Sequence, residues 1–218
     1  MIQKNGTIQN KDFRENESGS TYTIKGTLTN EDGVFSGFSA SNYITLPLLT
    51  TPVTSYEICV KFYLVNFNDG RVFGNSLTNI HTPQLEAPSG SETKMWYGHP
   101  SGSYGWQAIN PNFIVSKNMW YWFKAIYDGA KVTIYMSAHG GDWTSCGTIT
   151  TNTCGWNEAL ELGYDYDIGA FTGNFIDLKE CYIKINGKTA WSGMDAVMTN
   201  GNAKVHKNYV ASREFYEV

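Results

Sequence analysis

Charged residues are scarce in this sequence: Asp, Glu, Lys and Arg make up 17% of its 218 residues, and the formal net charge is -4. Lysines and arginines form no run, so the basic patch that nucleic-acid binding requires is missing. Apolar runs are short, and none approaches the ~20 residues of a membrane-spanning helix. The N-terminal residues include no apolar stretch of the kind found in secretory signals. These absences predict a protein made in a cytoplasm, with no nucleic-acid partner and no membrane insertion.

Cysteine is also rare, with four residues in the chain. No Cys-x-x-Cys pair and no histidine at zinc-finger spacing is present, which argues against a zinc site. Cys59 and Cys181 lie within apolar strand patterns and are predicted to be buried. Cys146 and Cys154 flank a short Thr-rich stretch and could face each other across a hairpin. In the absence of a signal peptide we expect reduced thiols there.

Aromatic residues and glycines are abundant, and apolar residues alternate with polar ones along many short segments. This period of two is typical of half-buried strands. An early strand is predicted with Tyr22, Ile24 and Leu28 on one face. The predicted core consists of Ile44, Leu46, Ile58, Val60, Phe62, Val132, Ile134, Ile183 and Ile185.

Turn signals separate the predicted strands at short intervals. Asp128-Gly129 and Asn186-Gly187 each stand between two apolar runs and predict hairpin turns. The alternation slips at Lys179-Glu180, which predicts a bulge or bend in the last long strand. No window shows the 3.6-residue period of a helix. The sequence therefore predicts an all-β protein built as an antiparallel sandwich or barrel.

Four segments resemble the strands of laminin G-like domains, which belong to the concanavalin A-like lectin and glucanase group. They are residues 34–47, 122–135, 160–163 and 171–187. The resemblance implies an antiparallel two-sheet jelly roll. Its closing segment, with Trp191-Ser192-Gly193 after it, is most similar to the version found in phage virion proteins.

The resemblance divides the chain into three regions. Residues 1–20 are polar and are predicted to be an N-terminal arm, either a frayed end or a segment that docks on an assembly. Residues 21–193 form the laminin G-like jelly-roll domain. Residues 194–218 form a C-terminal extension outside the resemblance and are expected to pack on, or pair with, the sandwich or a partner.

Acidic residues do not form the Glu-x-Asp-x-Glu pattern that the glucanases of this group carry on one strand. Retaining hydrolysis needs two carboxyl groups ~5 Å apart, which alternate strand positions provide. Asp165 and Asp167 are the nearest same-face pair, and they are interpreted as a solvated loop, with a pair of calcium ligands or a catalytic pair as alternatives. We therefore expect no enzyme activity and no required cofactor or metal, with calcium left open.

Residues 95–107 combine aromatic, amide and hydroxyl side chains in one stretch. A sugar ring offers an apolar C–H face and a rim of hydroxyl groups, so this combination suits a glycan or partner site. The alternative is that these aromatic residues alternate into the core. The predicted ligand-binding residues are Trp96, Tyr97, His99, Tyr104, Trp106 and Gln107.

The leading functional hypothesis is a non-catalytic phage virion protein whose lectin-like domain is displayed on the particle. Its partners would be a host glycan or neighbouring virion proteins, and a homo-oligomer is left open. The first alternative is a purely structural head, tail or decoration protein without glycan affinity. The second is a glycan-cleaving enzyme. All three hypotheses rest on analogy of fold.

Overall fold

The computed structural model describes residues 20–75, 81–90, 93–100, 104–109, 113–164 and 169–199, and regular structure there is mostly β-strand. A single short helix, α1, covers residues 193–199 of this part of the chain. The strands are β1 (Thr23–Lys25), β2 (Thr29–Glu31), β3 (Val34–Ser36), β4 (Tyr43–Thr45), β5 (Tyr56–Leu64), β6 (Arg71–Gly74), β7 (Gln84–Glu86), β8 (Trp96–Pro100), β9 (Tyr104–Ala108), β10 (Met119–Tyr127), β11 (Lys131–Ala138), β12 (Thr144–Thr150), β13 (Glu161–Leu162), β14 (Phe175–Ile185) and β15 (Lys188–Ser192).

The strands form two antiparallel sheets. The seven-stranded sheet has the order β1-β4-β13-β6-β7-β8-β9. The eight-stranded sheet consists of β12-β11-β10-β5-β14-β3-β2, with β15 paired to β14. Many neighbours in each sheet are distant in sequence, as the pairing of β5 with both β10 and β14 shows. The predicted all-β class with two antiparallel sheets is confirmed.

The core lies between the two sheets. Phe123 of β10 contacts Phe73 of β6 and Tyr97 of β8, with ring centroids 5.6 and 5.4 Å apart, so side chains from opposite sheets interdigitate. All nine predicted core residues are buried, which confirms the strand parity read from the sequence. Cys59 and Cys181 are buried as predicted, and the thiols of Cys146 and Cys154 are free.

Both predicted hairpins are present. Asn186 and Gly187 connect β14 to β15 with φ of 51° and 80°, the positive values that a type I′ turn requires. In the hairpin of β10 and β11, Asp128 donates its backbone N–H to the Lys131 carbonyl. The two central residues of that turn are Gly129 and Ala130, and Asp128 is the first of its four residues. Of these residues only Gly129 has positive φ, at 97°.

Strand β14 contains the predicted irregularity. Its register against β5 shifts between Asp177 and Tyr182, and Leu178 and Cys181 are both buried although their positions differ in parity. A Cβ on Gly193 would lie 1.7 Å from the Leu178 carbonyl oxygen, so only glycine fits where the chain crosses this bulge.

A polar chain of hydrogen bonds crosses the core at one end of the sandwich. Tyr56 of β5 hydrogen-bonds through its hydroxyl to the Tyr97 hydroxyl and, at 2.7 Å, to Nδ1 of His99 on β8. His99 Nε2 donates to the Thr153 carbonyl at 2.8 Å. Because the carbonyl can only accept, Nε2 carries a proton, and in the neutral ring Nδ1 accepts from Tyr56. This series of hydrogen bonds joins the two sheets.

The two ends of the sandwich domain lie side by side. The indole N–H of Trp191 donates to the Thr21 carbonyl at 2.7 Å, and the Ser192 N–H donates to Ser20 Oγ at 3.2 Å. Ile24 of the predicted early strand is 39% exposed. Its strand, β1, lies at the edge of the sheet, where one side has no neighbouring strand among the described residues.

Helix α1 follows directly after β15. Ser192 Oγ accepts the Asp195 N–H at 3.3 Å, which caps the first turn of the helix, and Ala196 is fully buried. The start of the 194–218 region thus packs on the sandwich. Residues 1–19 and 200–218 lie outside the described residues, so the predicted arm and the rest of the extension stay predictions.

Candidate functional site

The outward surface of the eight-stranded sheet is rich in aromatic side chains. On β10 the alternation buries Tyr121 and Phe123 and leaves Trp120, Trp122 and Lys124 half-buried on the other side. Neighbouring strands and the residue before β12 add further rings to this surface. We call it the aromatic face, and its members are Tyr63, Trp120, Trp122, Tyr135, Trp143, Phe175 and Tyr182.

Strand register brings these rings into rows across the sheet. Trp120 of β10 is opposite Tyr63 of β5, and Tyr63 is opposite Phe175 of β14. The ring centroids are 5.2 Å apart in the first pair and 5.9 Å in the second. Backbone hydrogen bonds of the sheet fix each pair, so the side chains of this row form a rigid platform with little conformational freedom left to lose.

Lys61 lies between two tryptophans in the next row. Its Nζ is 5.0 Å from the Trp120 ring centroid and 4.7 Å from that of Trp122, within cation–π range. The same Nζ forms a 2.9 Å ion pair with Asp177, the residue opposite Lys61 on β14. Lys61 therefore neutralises a largely buried carboxylate and holds both indole rings in place.

Glu57 forms a second charged group on this surface. Its carboxylate accepts hydrogen bonds from the Tyr182 hydroxyl and, at 3.2 Å, from Lys184 Nζ. Burial acts to raise the pKa of Glu57, but these hydrogen bonds and the charges of Lys184 and Lys124 outweigh it and lower the pKa. Burial is the main cause that raises the pKa of Tyr182, and the hydrogen bond to Glu57 raises it further. Glu57 is thus ionised at neutral pH and Tyr182 keeps its proton.

A pocket of about 320 Å³ lies elsewhere, between the 46–51 loop and β14, but its lining is mostly aliphatic. The pocket on the aromatic face has about 310 Å³ and a mixed lining. Its walls are Cys59, Trp122, Lys124, Trp143, Lys179, Glu180, Cys181, Tyr182 and Ser192. Aromatic rings beside ammonium, carboxylate and hydroxyl groups give this pocket both an apolar platform and hydrogen-bonding partners.

Lys124 lines this mixed pocket. Its Nζ is 4.2 Å from the ring centroid of Trp143 and 5.5 Å from that of Tyr135. Trp143 is 41% exposed, so much of its ring is available to a ligand. The arrangement joins an open indole to a cation, which suits a ligand with an apolar face and polar substituents.

The structure divides the site that the sequence predicts around residues 96–107. Trp96 is 37% exposed on the seven-stranded sheet and could contact a ligand. Tyr97 and His99 are fully buried and hydrogen-bonded to Tyr56, so the prediction that they contact a ligand is wrong. Strand alternation on β8 turns them into the core. Backbone pairing places Tyr104, Trp106 and Gln107 on β9, next to β8, but their side chains lie outside the described part of the structure.

The acidic pair of the sequence analysis also lies outside the described residues. Asp165 and Asp167 fall between residues 164 and 169, so their suggested calcium role stays a prediction. Within the described ranges, no group of three or more His, Cys, Asp or Glu side chains is arranged to hold a metal ion. No helix in those ranges is long and apolar enough to cross a membrane.

Sequence reasoning missed the aromatic face although the signal was present. The run from Trp120 to Lys124 alternates, so burial of Tyr121 and Phe123 already places both tryptophans on the opposite side. Pairing with Tyr63 could not be inferred, because β5 and β10 are separated by more than fifty residues of chain. Only the sheet order brings these rings together.

Comparison with solved structures identifies the fold. Domain 4 of AbnA, an extracellular arabinanase from Geobacillus stearothermophilus solved with arabinotriose, has a TM-score of 0.55 and 19% identity over 81% of this chain and 86% of that one. The enzymatically active domain of tailspike protein 2 from bacteriophage CBA120 has a TM-score of 0.51 and 10% identity, covering 76% and 28%. The LG1-3 region of the laminin alpha2 chain gives 0.50 and 14%, covering 72% and 32%.

These similarities concern the fold, because the identities are low. The chain spans less than a third of the tailspike and laminin structures. No protein-family model and no curated protein matches the sequence. The strand order and the solved structures agree with the fold that the resemblance implies: the chain has a concanavalin A-like β-sandwich fold.

Proposed function

We propose that the protein binds carbohydrate chains through the aromatic face of its eight-stranded sheet. The observation that carries the proposal is the series of rings set across β14, β5, β10 and β11, next to a pocket with ammonium and carboxylate groups. Sugar rings stack their C–H faces on such rings, while their hydroxyl groups bond to the polar side chains. The solved complex of a similarly folded arabinanase domain with arabinotriose supports a carbohydrate ligand.

Rigidity supports binding over a purely structural role for these rings. Trp120, Tyr63 and Phe175 are held by sheet register, and Lys61 lies against two indoles. Indole and phenol rings have few rotatable bonds, so they lose little entropy when a ligand orders them. A surface of this kind binds a flexible sugar chain at low entropic cost.

The charges on the aromatic face favour binding without catalysis. A glycosidase of the retaining type needs one carboxyl group with a raised pKa to act as general acid. The pKa of Glu57 is lowered instead, and Asp177 is largely buried in an ion pair with Lys61. Both carboxylates therefore act as anchors for lysine side chains.

We further propose that this binding occurs on a phage particle. The support is the similarity of residues 171–187 and 191–193 to segments of phage virion proteins, together with the shared fold of a phage tailspike domain. In that setting the sandwich would attach the particle to a glycan of its host. The alternative without glycan affinity would use the same rings as an interface to another virion protein.

Two equally exposed tryptophans on opposite sheets provide the test. Trp143 belongs to the aromatic face and Trp96 to the surface predicted from the sequence; they are 41% and 37% exposed. The wild type, Trp143→Ala and Trp96→Ala are applied to a glycan array, and the affinity for any bound glycan is then measured by calorimetry. We expect Trp143→Ala to weaken binding by roughly tenfold or more, because central aromatic contacts dominate binding energy, while Trp96→Ala binds like the wild type.

The array also gives the results that would contradict the proposal. Absence of binding to all bacterial and plant glycans tested would favour the purely structural alternative. A loss with Trp96→Ala and none with Trp143→Ala would place the glycan on the seven-stranded sheet. Circular dichroism of both variants checks that each is folded.

A further inference from the structure

The lysines of the aromatic face differ in how their charge is balanced. Lys61 is paired with Asp177 at 2.9 Å, Lys184 with Glu57 at 3.2 Å and Lys179 with Asp32 at 2.7 Å. Lys124 is different. Among the residues that the structure describes, no carboxylate lies within ion-pair distance of its ammonium group.

The surroundings of Lys124 are aromatic instead. Trp143 and Tyr135 flank its Nζ, and Trp122 lines the same pocket. Ring faces attract a cation but leave its N–H donors without the strong acceptors that a carboxylate supplies. Lys124 is half-buried, so its charge is less screened by salt than that of a lysine in open solvent.

We propose that Lys124 binds a negatively charged substituent of the glycan, so that the protein prefers sugars carrying a carboxylate or a sulfate ester. This inference rests on the proposed function. Trp122, Trp143 and Lys124 line the same pocket, so a sugar ring held there against the exposed indole of Trp143 can direct a substituent past the edge of that ring to the ammonium group of Lys124. An anionic substituent then receives charge-assisted hydrogen bonds, which are about twice as strong as neutral ones.

Other charged groups around the pocket modulate this preference. Lys179 lines the pocket, although Asp32 shares its charge. Glu180 is exposed at the pocket wall and repels an anion. Asp177 is paired with Lys61 and Glu57 with Lys184, although Glu57 also feels the charge of Lys124 from beyond ion-pair distance. Glu180 is therefore the residue whose neutralisation strengthens anion binding.

Pairs of glycans that differ only in their charged substituents test this preference without changing the sugar chain. Oligogalacturonate is compared with its methyl-esterified form, and a heparin-derived octasaccharide with its desulfated form, by calorimetry on the full chain. We expect the charged member of at least one pair to bind roughly tenfold more tightly than the neutral member. The pair that shows the difference identifies carboxylate or sulfate as the source of the charge. Binding of the charged member weakens as salt is raised.

Variants of the pocket assign the effect to Lys124. Lys124→Met keeps an unbranched side chain only one atom shorter and removes the charge, and we expect it to lose the preference for the charged member. Lys124→Arg restores the preference, and Glu180→Gln increases it. Equal binding of charged and neutral forms by the wild type, or a preference that survives in Lys124→Met, would overturn the inference. In either case loss of neutral-glycan binding in Trp143→Ala still supports the proposed function, which fails if no glycan binds or if only Trp96→Ala weakens binding.

Discussion

His99 lies between the two sheets with a hydrogen-bond partner on each ring nitrogen. A second proton on the ring, at Nδ1, would require the Tyr56 hydroxyl to accept a hydrogen bond instead of donating one. Burial lowers the pKa of His99 below its ordinary value of 6.5, although the bond to the Thr153 carbonyl opposes this shift. The unfolded chain therefore binds a proton that the folded one excludes, and stability falls as the pH drops below about 6.5.

Denaturant unfolding at several pH values checks this effect. The free energy of unfolding of the wild type should decrease between pH about 7 and about 5. His99→Gln cannot be protonated there, so we expect a variant that is less stable at neutral pH but whose stability changes less over this interval. An equal slope for the two proteins would show that other groups cause the pH dependence.

The same residue shows where sequence reasoning reaches its limit. Sequence alone places His99 in a stretch that could be either core or surface, because Trp, Tyr and His occur in both. Burial of Tyr97 and His99 follows from which side of β8 faces the opposite sheet. That side is fixed by pairing with β7, whose register no local pattern reveals.

At the scale of elements, the close contact between β14 and the first residue of α1 depends on one glycine. A Cβ at Gly193 would overlap the Leu178 carbonyl, whereas one at Gly155 would make an ordinary 3.6 Å contact with the Pro100 carbonyl. We expect Gly193→Ala to lower the free energy of unfolding by about 1–3 kcal/mol, because backbone must move to admit the methyl group. Gly155→Ala is the matched control. Similar thermal melting of the two variants would contradict this close approach.

Local signals explain which elements the sequence predicts. The hairpin at Asn186-Gly187 and the slip at Lys179-Glu180 are encoded within a few residues, and both are found. Helix α1 was not predicted, since a helix of two turns is too short to display a 3.6-residue period. A serine at position 192 followed by Asp195 is the capping signal that could have indicated it.

At the scale of the whole molecule, the two sheets expose surfaces of different character. The eight-stranded sheet carries paired rings and lysines in register, while Trp96 is the exposed tryptophan described on the seven-stranded sheet. Alternation along single strands predicts the core between the sheets. The aromatic face depends on the order β11-β10-β5-β14, which combines segments from all parts of the chain. For this reason the fold could be anticipated from sequence and the candidate site could not.

The hydrogen bonds from Trp191 to Thr21 and from Ser192 to Ser20 make the sandwich suitable for circular permutation and for insertion into a loop of a carrier protein. A permutant that joins residue 199, at the end of α1, to residue 20 through a flexible linker, and opens the chain between the exposed Thr50 and Thr51, should fold with a melting temperature close to that of residues 20–199. Scanning calorimetry of the two proteins compares them. A permutant that fails to melt cooperatively would mean that these ends must stay separate.

If the permutant folds, the domain can be inserted into a carrier protein. The aromatic face would then be exposed on the carrier without residues 1–19 or 200–218.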